Sequence, residues 1–237
     1  EQGPGGTDVL YGGSFVGSLA GKAVNTLIIN VSASNNIQSA NTTGGLVGQM
    51  NNSRIVGGSF EGSIDATSQS GGLVGEVSGN YEGDLPAIEQ SYTFGSFTAG
   101  WGVGNVGGLV GYMTTAEILN SYSQMDVNAY NNVGGLVGNA IGSSIVNAYA
   151  SGSVTGNNTV GGFVGRVFSS GSSIENAFAA GIITGSSYIG GVVGGVGDFG
   201  GDNPSFLSTT NTYWDATMTG MSECSGLAEE TWAGCTM

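Results

Sequence analysis

The sequence predicts an all-β fold, a single-stack parallel β-solenoid (β-helix) of about seven rungs with a 27-residue basic period. Three observations predict it. A glycine-rich string recurs at near-constant spacing. β-branched and aromatic residues recur in columns around it. Glycines interrupt every stretch long enough to make a helix.

The string first reads Gly44-Gly45-Leu46-Val47-Gly48. It returns from Gly71, Gly107 and Gly134, then as Gly161-Gly162-Phe163-Val164-Gly165 and Gly190-Gly191-Val192-Val193-Gly194. The first glycines are 27, 36, 27, 27 and 29 residues apart, so one interval carries nine extra residues and another two. Glycine pairs at this period predict tight corners, where φ is positive or the backbone approaches too closely for a Cβ. A helix is excluded because each internal glycine costs about 1 kcal/mol and no 3.6-residue period emerges.

A second landmark fixes the register. Ile28-Ile29-Asn30, Ile118-Leu119-Asn120, Ile145-Val146-Asn147 and Ile174-Glu175-Asn176 each place their asparagine 14 residues before the string. Ile55-Val56-Gly57 keeps the offset without the asparagine. Ile88-Glu89-Gln90 lies 17 residues before its glycine, so three extra residues fall around Trp101-Gly102-Val103-Gly104. The rest of the excess falls around residues 80–86 and reads as a loop leaving the stack. Residues 12–17 read as an N-terminal copy of the string, and Asn211-Thr212-Tyr213-Trp214-Asp215 as a last triplet. The chain divides into an N-terminal extension or cap (1–11), the solenoid (12–215) and a C-terminal tail (216–237).

Identical residues at one period stack best directly above one another, with strands about 4.8 Å apart. Asn30, Gln90, Asn120, Asn147, Asn176 and Asn211 then form a broken amide ladder. Ile28, Ile55, Ile88, Ile118, Ile145 and Ile174 form a core column, and so do Ile37, Ile64, Phe97, Val127, Val154 and Ile183. Tyr92, Tyr122, Tyr149, Phe178 and Tyr213 form an aromatic column, which its company with isoleucine assigns to the core. Facing outward, it would instead be a stripe on which carbohydrate could stack.

Composition narrows function. The 237 residues include 47 glycines, 17 acids, three cations (Lys22, Arg54, Arg166) and no histidine, for a net charge of −14. No basic patch can form, which argues against nucleic acid and against anionic lipid as partners. No apolar run approaches a membrane span of about 20 residues, so membrane insertion is not expected. The opening residues show no signal peptide, as expected of a mature, processed or excised segment. Cys224 and Cys235 both lie in the tail, and their clustering predicts one local disulfide formed in an oxidising compartment.

The recurring string, the Ile-x-Asn segment with its following tyrosine, and the closing Asn-Thr-Tyr-Trp-Asp resemble the GLUG repeat of large bacterial surface proteins, over roughly residues 12–215. Such proteins include filamentous-haemagglutinin-like adhesins and the repeat regions of IgA-specific metallopeptidases. The resemblance implies an exported spacer or adhesive region and supplies no catalytic residues. The two tail cysteines depart from the usual ending of such arrays.

Candidate sites are few. A nucleophile with an imidazole base is excluded, and so is a four-ligand His/Cys zinc site. Glycosidases need two carboxyl groups facing each other across a cleft, yet Asp65 and Asp126 are two copies apart, and Glu89 and Glu175 three. Glu82 and Asp84 could bind a cation with nearby carbonyls, but two acids are a weak signal for calcium, which takes about six to eight oxygens, and a polar loop tip is the favoured reading. Gly102-Val103-Gly104-Asn105-Val106-Gly107 matches G-x-G-x-x-G but has no βαβ setting. No catalytic, cofactor or metal residues are therefore assigned. The residues singled out are structural: Cys224 with Cys235, and the ladders through Asn120, Asn147, Asn176, Tyr122 and Tyr149. The expected function is that of an extracellular or cell-surface structural or adhesive protein, not an enzyme. It would self-associate, with no cofactor, as a filament subunit docking head to tail. The alternative is a module binding a surface glycan, a host-cell ligand or ice, and a polysaccharide-degrading enzyme ranks last.

Overall fold

The computed structural model describes residues 9–10, 14–80, 85–100, 102, 104–168, 171–197, 207–226 and 235–237. They form a parallel β-solenoid with three sheets along its length and one short helix, Ala216–Thr219. The first sheet stacks Phe15–Val16, Thr42–Gly44, Ser70–Gly71, Gly104–Gly107, Asn131–Gly134, Asn158–Gly161 and Ser187–Gly190. The second stacks Ala20–Val24, Val47–Asn51, Val74–Ser78, Val110–Thr114, Val137–Ile141, Val164–Phe168 and Val193–Val196. Seven strands in each make six steps from rung to rung. The third sheet holds the Ile-x-Asn segments and the longer strands that follow them, from Val9–Leu10 to Cys235–Thr236.

The register follows the sequence columns. Ile28, Ile55, Ile88, Ile118, Ile145 and Ile174 are successive partners and all are buried. Ile37, Ile64, Phe97, Val127, Val154 and Ile183 are likewise buried partners. The leucines of the recurring string, with Phe163 and Val192, complete the core from the opposite side.

The extra residues enter where expected. Ser78 pairs with Asn51, whereas Ala87 pairs with Arg54, so six residues are added between Ser78 and Ala87. Ala99 pairs with Ala66, and Val106 with Ser70, so three more are added between Ala99 and Val106. Glu82, Asp84 and Trp101 lie outside the described residues.

Two expectations need correction. The N-terminal copy of the string is residues 17–21, not 12–17: Ser18 N and Leu19 N donate to the carbonyls of Gly45 and Leu46, and Ala20 pairs with Val47. The string is degenerate there (Gly-Ser-Leu-Ala-Gly), and the shift restores the 27-residue period. Second, the tyrosine column faces solvent. Tyr92, Tyr149, Phe178 and Tyr213 are exposed, and Tyr122 is half-buried.

The glycine pairs and the asparagines divide the corner work between them. A Cβ on Gly44 would meet the Val47 carbonyl, and one on Gly135 the Gly162 carbonyl, so close approach of backbones excludes side chains there. Positive φ occurs instead at Asn30, Gln90, Asn120, Asn147, Asn176 and Asn211, with values of 48–54°. Asparagine tolerates this left-handed region better than other side chains do. Gly57 takes the position at φ 68°, which explains the one rung without a side-chain amide.

Candidate functional site: an outer amide and aromatic strip

The left-handed asparagines project from the corner between the Ile-x-Asn segment and the next strand. Asn147 Nδ2 donates to Asn120 Oδ1 at 3.0 Å, Asn176 Nδ2 to Asn147 Oδ1 at 2.9 Å, and Asn211 Nδ2 to Asn176 Oδ1 at 3.0 Å. Each amide NH₂ carries two hydrogens and spends one on its neighbour. The ladder therefore holds the corners in register and leaves donors for solvent or a ligand. Asn30 is separated from this run by Gly57.

Two residues beyond each asparagine stands the aromatic column. Ser32, Ser59, Tyr92, Tyr122, Tyr149, Phe178 and Tyr213 are consecutive register partners. The Tyr92 and Tyr122 rings stack with centroids 5.2 Å apart and planes 7° from parallel, and Tyr122 and Tyr149 at 4.6 Å and 5°. Their faces cover one another, so the column offers ring edges and phenol hydroxyls outward. Phe94, also exposed, widens the strip beside Tyr92. Burial, and secondarily the charge of a neighbouring ionised Tyr122, holds the Tyr149 phenol above its ordinary pKa of 10.0.

The column from Tyr92 to Tyr213 holds no charged residue, and Lys22 and Arg166 stand on a different sheet. Arg54 pairs with Glu89. Lys22 lies over the Phe15 ring at 5.8 Å, and Arg166 over the Phe168 ring at 5.2 Å. Described carboxylates are not register partners: Asp65 pairs with Gln38 and Thr98, Asp126 with Ser96, and Glu175 with Val146 and Thr210. Asp126 Oδ1 instead accepts from Ser153 N and Oγ at 2.8 and 2.7 Å. Among the described residues no three His, Cys, Asp or Glu side chains group to hold a metal.

Cys224 and Cys235 are joined as a disulfide. Cys224 lies over the end of the leucine column, where its carbonyl accepts from Val192 N and Val193 N at 2.9 and 3.0 Å. Cys235–Thr236 adds a strand beside Thr212 and Tyr213. Trp214 is buried against Gly191, with its indole N–H donating to the Met221 carbonyl at 2.9 Å.

Two features escaped the sequence reading. A second amide pair sits at another left-handed corner, where Asn132 Nδ2 donates to Asn105 Oδ1 at 2.8 Å. The recurrence of Asn105 and Asn132 at the basic period was the available signal. A further buried column, Phe60, Thr93, Ser123, Ala150, Ala179 and Trp214, packs toward the glycine pairs but varies too much in size and polarity to stand out.

The family model of the GLUG motif matches residues 102–128 and 129–155, each segment one full turn of the stack. The chain carries GLUG repeats. In these two GLUG units lie Tyr122, Tyr149, Asn120 and Asn147, the middle of both ladders. No curated protein and no solved structure matches the chain.

Proposed function

We propose that this protein is an exported structural or adhesive protein of a cell surface, and that it works through the outer amide and aromatic strip. The observation that carries the reading is the column from Tyr92 to Tyr213, large rings held in solvent over five successive rungs. Exposed apolar patches on this scale mark interaction surfaces. The disulfide suits an oxidising compartment. The likeness to filamentous-haemagglutinin-like adhesins points the same way. A filament subunit docking head to tail belongs to the same reading, which assigns no catalysis.

The test is binding of the purified protein to immobilised glycans and to intact cells, beside a Tyr122→Ser/Tyr149→Ser variant. Binding that falls at least tenfold in a variant of unchanged circular dichroism supports the strip. Equal binding by both proteins, or none by either, overturns it.

A neutral surface glycan is the ligand class favoured by the spare Nδ2 hydrogens of the asparagines and the phenol hydroxyls. Ice binding asks for a regular threonine face. The columns through Ser153 and Thr155 are interrupted by Asp126 and Asn128, and the Ser153 hydroxyl is already engaged by Asp126. Absence of thermal hysteresis removes that option.

A further inference from the structure

The two ends of the stack differ, and they differ in a complementary way. At the C-terminal end, residues 222–226 lie along the last copy of the string: Gly191 N donates to Glu223 O at 2.8 Å, and Gly226 N to Val193 O at 3.1 Å. Cys224 thereby follows Val192 in the leucine column. At the other end the column starts with Leu19, which is 47% exposed, whereas Leu46 above it is fully buried. Among the described residues Phe15–Val16, Ala20–Val24 and Leu27–Ile29 pair on one side only, and their other backbone edges can receive a strand. Val24, Leu27 and Ile29 are exposed around the same rung.

The register of the outermost strands fits these two ends together. Thr236 pairs with Tyr213 and so stands in the column that runs down to Ser32. Val9 pairs with Asn36, four columns further along the same strand. Within one rung, then, Cys235–Thr236 and Val9–Leu10 occupy successive, non-overlapping stretches. Lys22 is the cation of the exposed first rung, with Asp8 the nearest acid in the chain, whereas residues 207–237 contain Asp215, Glu223, Glu229 and Glu230 and no base.

We propose that copies of this chain join head to tail through a lap joint. Cys235–Thr236 of one copy pairs with the strand at Ser32 of the next, and residues 17–21 of that next copy cover residues 222–226, burying Leu19 over Cys224. The contact is heterologous and open, so it propagates as a fibre. This names the partner surface of the structural reading above and rests on it.

A photo-crosslinking benzoylphenylalanine at position 32 tests the joint, because that column carries tyrosine or phenylalanine in five rungs and tolerates a ring. Irradiation followed by peptide mapping is expected to place intermolecular adducts on residues 235–237. The same probe at position 122 is expected to give none. Leu19→Glu should lower the adduct yield at least tenfold with circular dichroism unchanged. Should that variant misfold, Glu223→Lys on the exposed cap should lower the yield and remove its salt dependence. Adducts scattered along the chain, adducts equal from position 122, or a folded protein giving no adducts would overturn the joint. Loss of adducts with glycan or cell binding intact would sink the joint alone, and the reverse pattern would sink the adhesive strip alone.

Discussion

The ring of Tyr122 lies 4.6 Å from that of Tyr149, with the planes 5° from parallel, on a face where both meet solvent. Aromatic pairs of this kind contribute about 0.5–1.5 kcal/mol beyond area burial. A double-mutant cycle with Tyr122→Ser and Tyr149→Ser, read by urea unfolding, should return a coupling energy in that range. A coupling near zero would mean that the rings merely neighbour each other.

The same contact predicts a response to alkali. The Tyr149 phenol is held above 10.0 by burial first and by Tyr122 second. The folded state thus keeps a proton that the unfolded state releases. The stability from this group is fully present below pH 10 and is lost as pH rises through the raised value. Absorbance titration of the phenolates should show a late step that is absent in Tyr149→Phe and shifted down in Tyr122→Phe.

At the asparagine corner, backbone and side-chain effects separate. Asn147 sits at φ 54° and makes two amide bonds. Asn147→Ala loses the bonds and keeps a Cβ in the left-handed region, at about 2 kcal/mol. Asn147→Gly loses the bonds alone and should cost about 1 kcal/mol less, as Gly57 suggests. Thermal unfolding that ranks alanine above glycine would contradict this assignment.

Thr159 offers the converse. It is a β-branched residue at φ 56°, fully buried, in the corner column of Asn105 and Asn132. Thr159→Asn should relieve the strained backbone and extend the amide pair to three, raising stability by about 1 kcal/mol. A lowered midpoint would show that the pocket cannot take the larger side chain.

The disulfide closes a short loop with a sequence separation of 11. Such a loop is worth about 3 kcal/mol by chain entropy. Reduction, or Cys235→Ser, should open the cap and expose Trp214 while leaving the central rungs folded. Limited proteolysis is then expected to cut the tail first. Cleavage starting in the middle of the stack would contradict the expected local role.

Much of the fold was legible because stacking demands repetition: the Ile28 and Leu46 columns recur, and their spacing alone placed the six and three extra residues. The orientation of Tyr122 was not legible, for a physical reason. Ile118 points inward, and simple alternation would send Tyr122 inward as well. The left-handed Asn120 breaks that alternation, so Ser121 turns in and Tyr122 turns out. The column from Phe60 to Trp214 was hidden because each member is sized to its own gap beside a glycine pair. The misplaced N-terminal copy had a similar cause, since Gly12-Gly13 mimics a motif whose true member, Gly17-Ser18, has lost its second glycine.

Extra residues in the stack enter where one sheet hands over to the next: between Ser78 and Ala87, between Ala99 and Val106, between Phe168 and Ser172, and between Val196 and Leu207. The flat faces are never interrupted. Corners thus absorb changes of length while the faces preserve pitch. A coil built this way can be extended by whole units, each advancing the outer strip by about 4.8 Å. Copy number becomes a ruler, and the reach of the surface scales with how many turns are inherited.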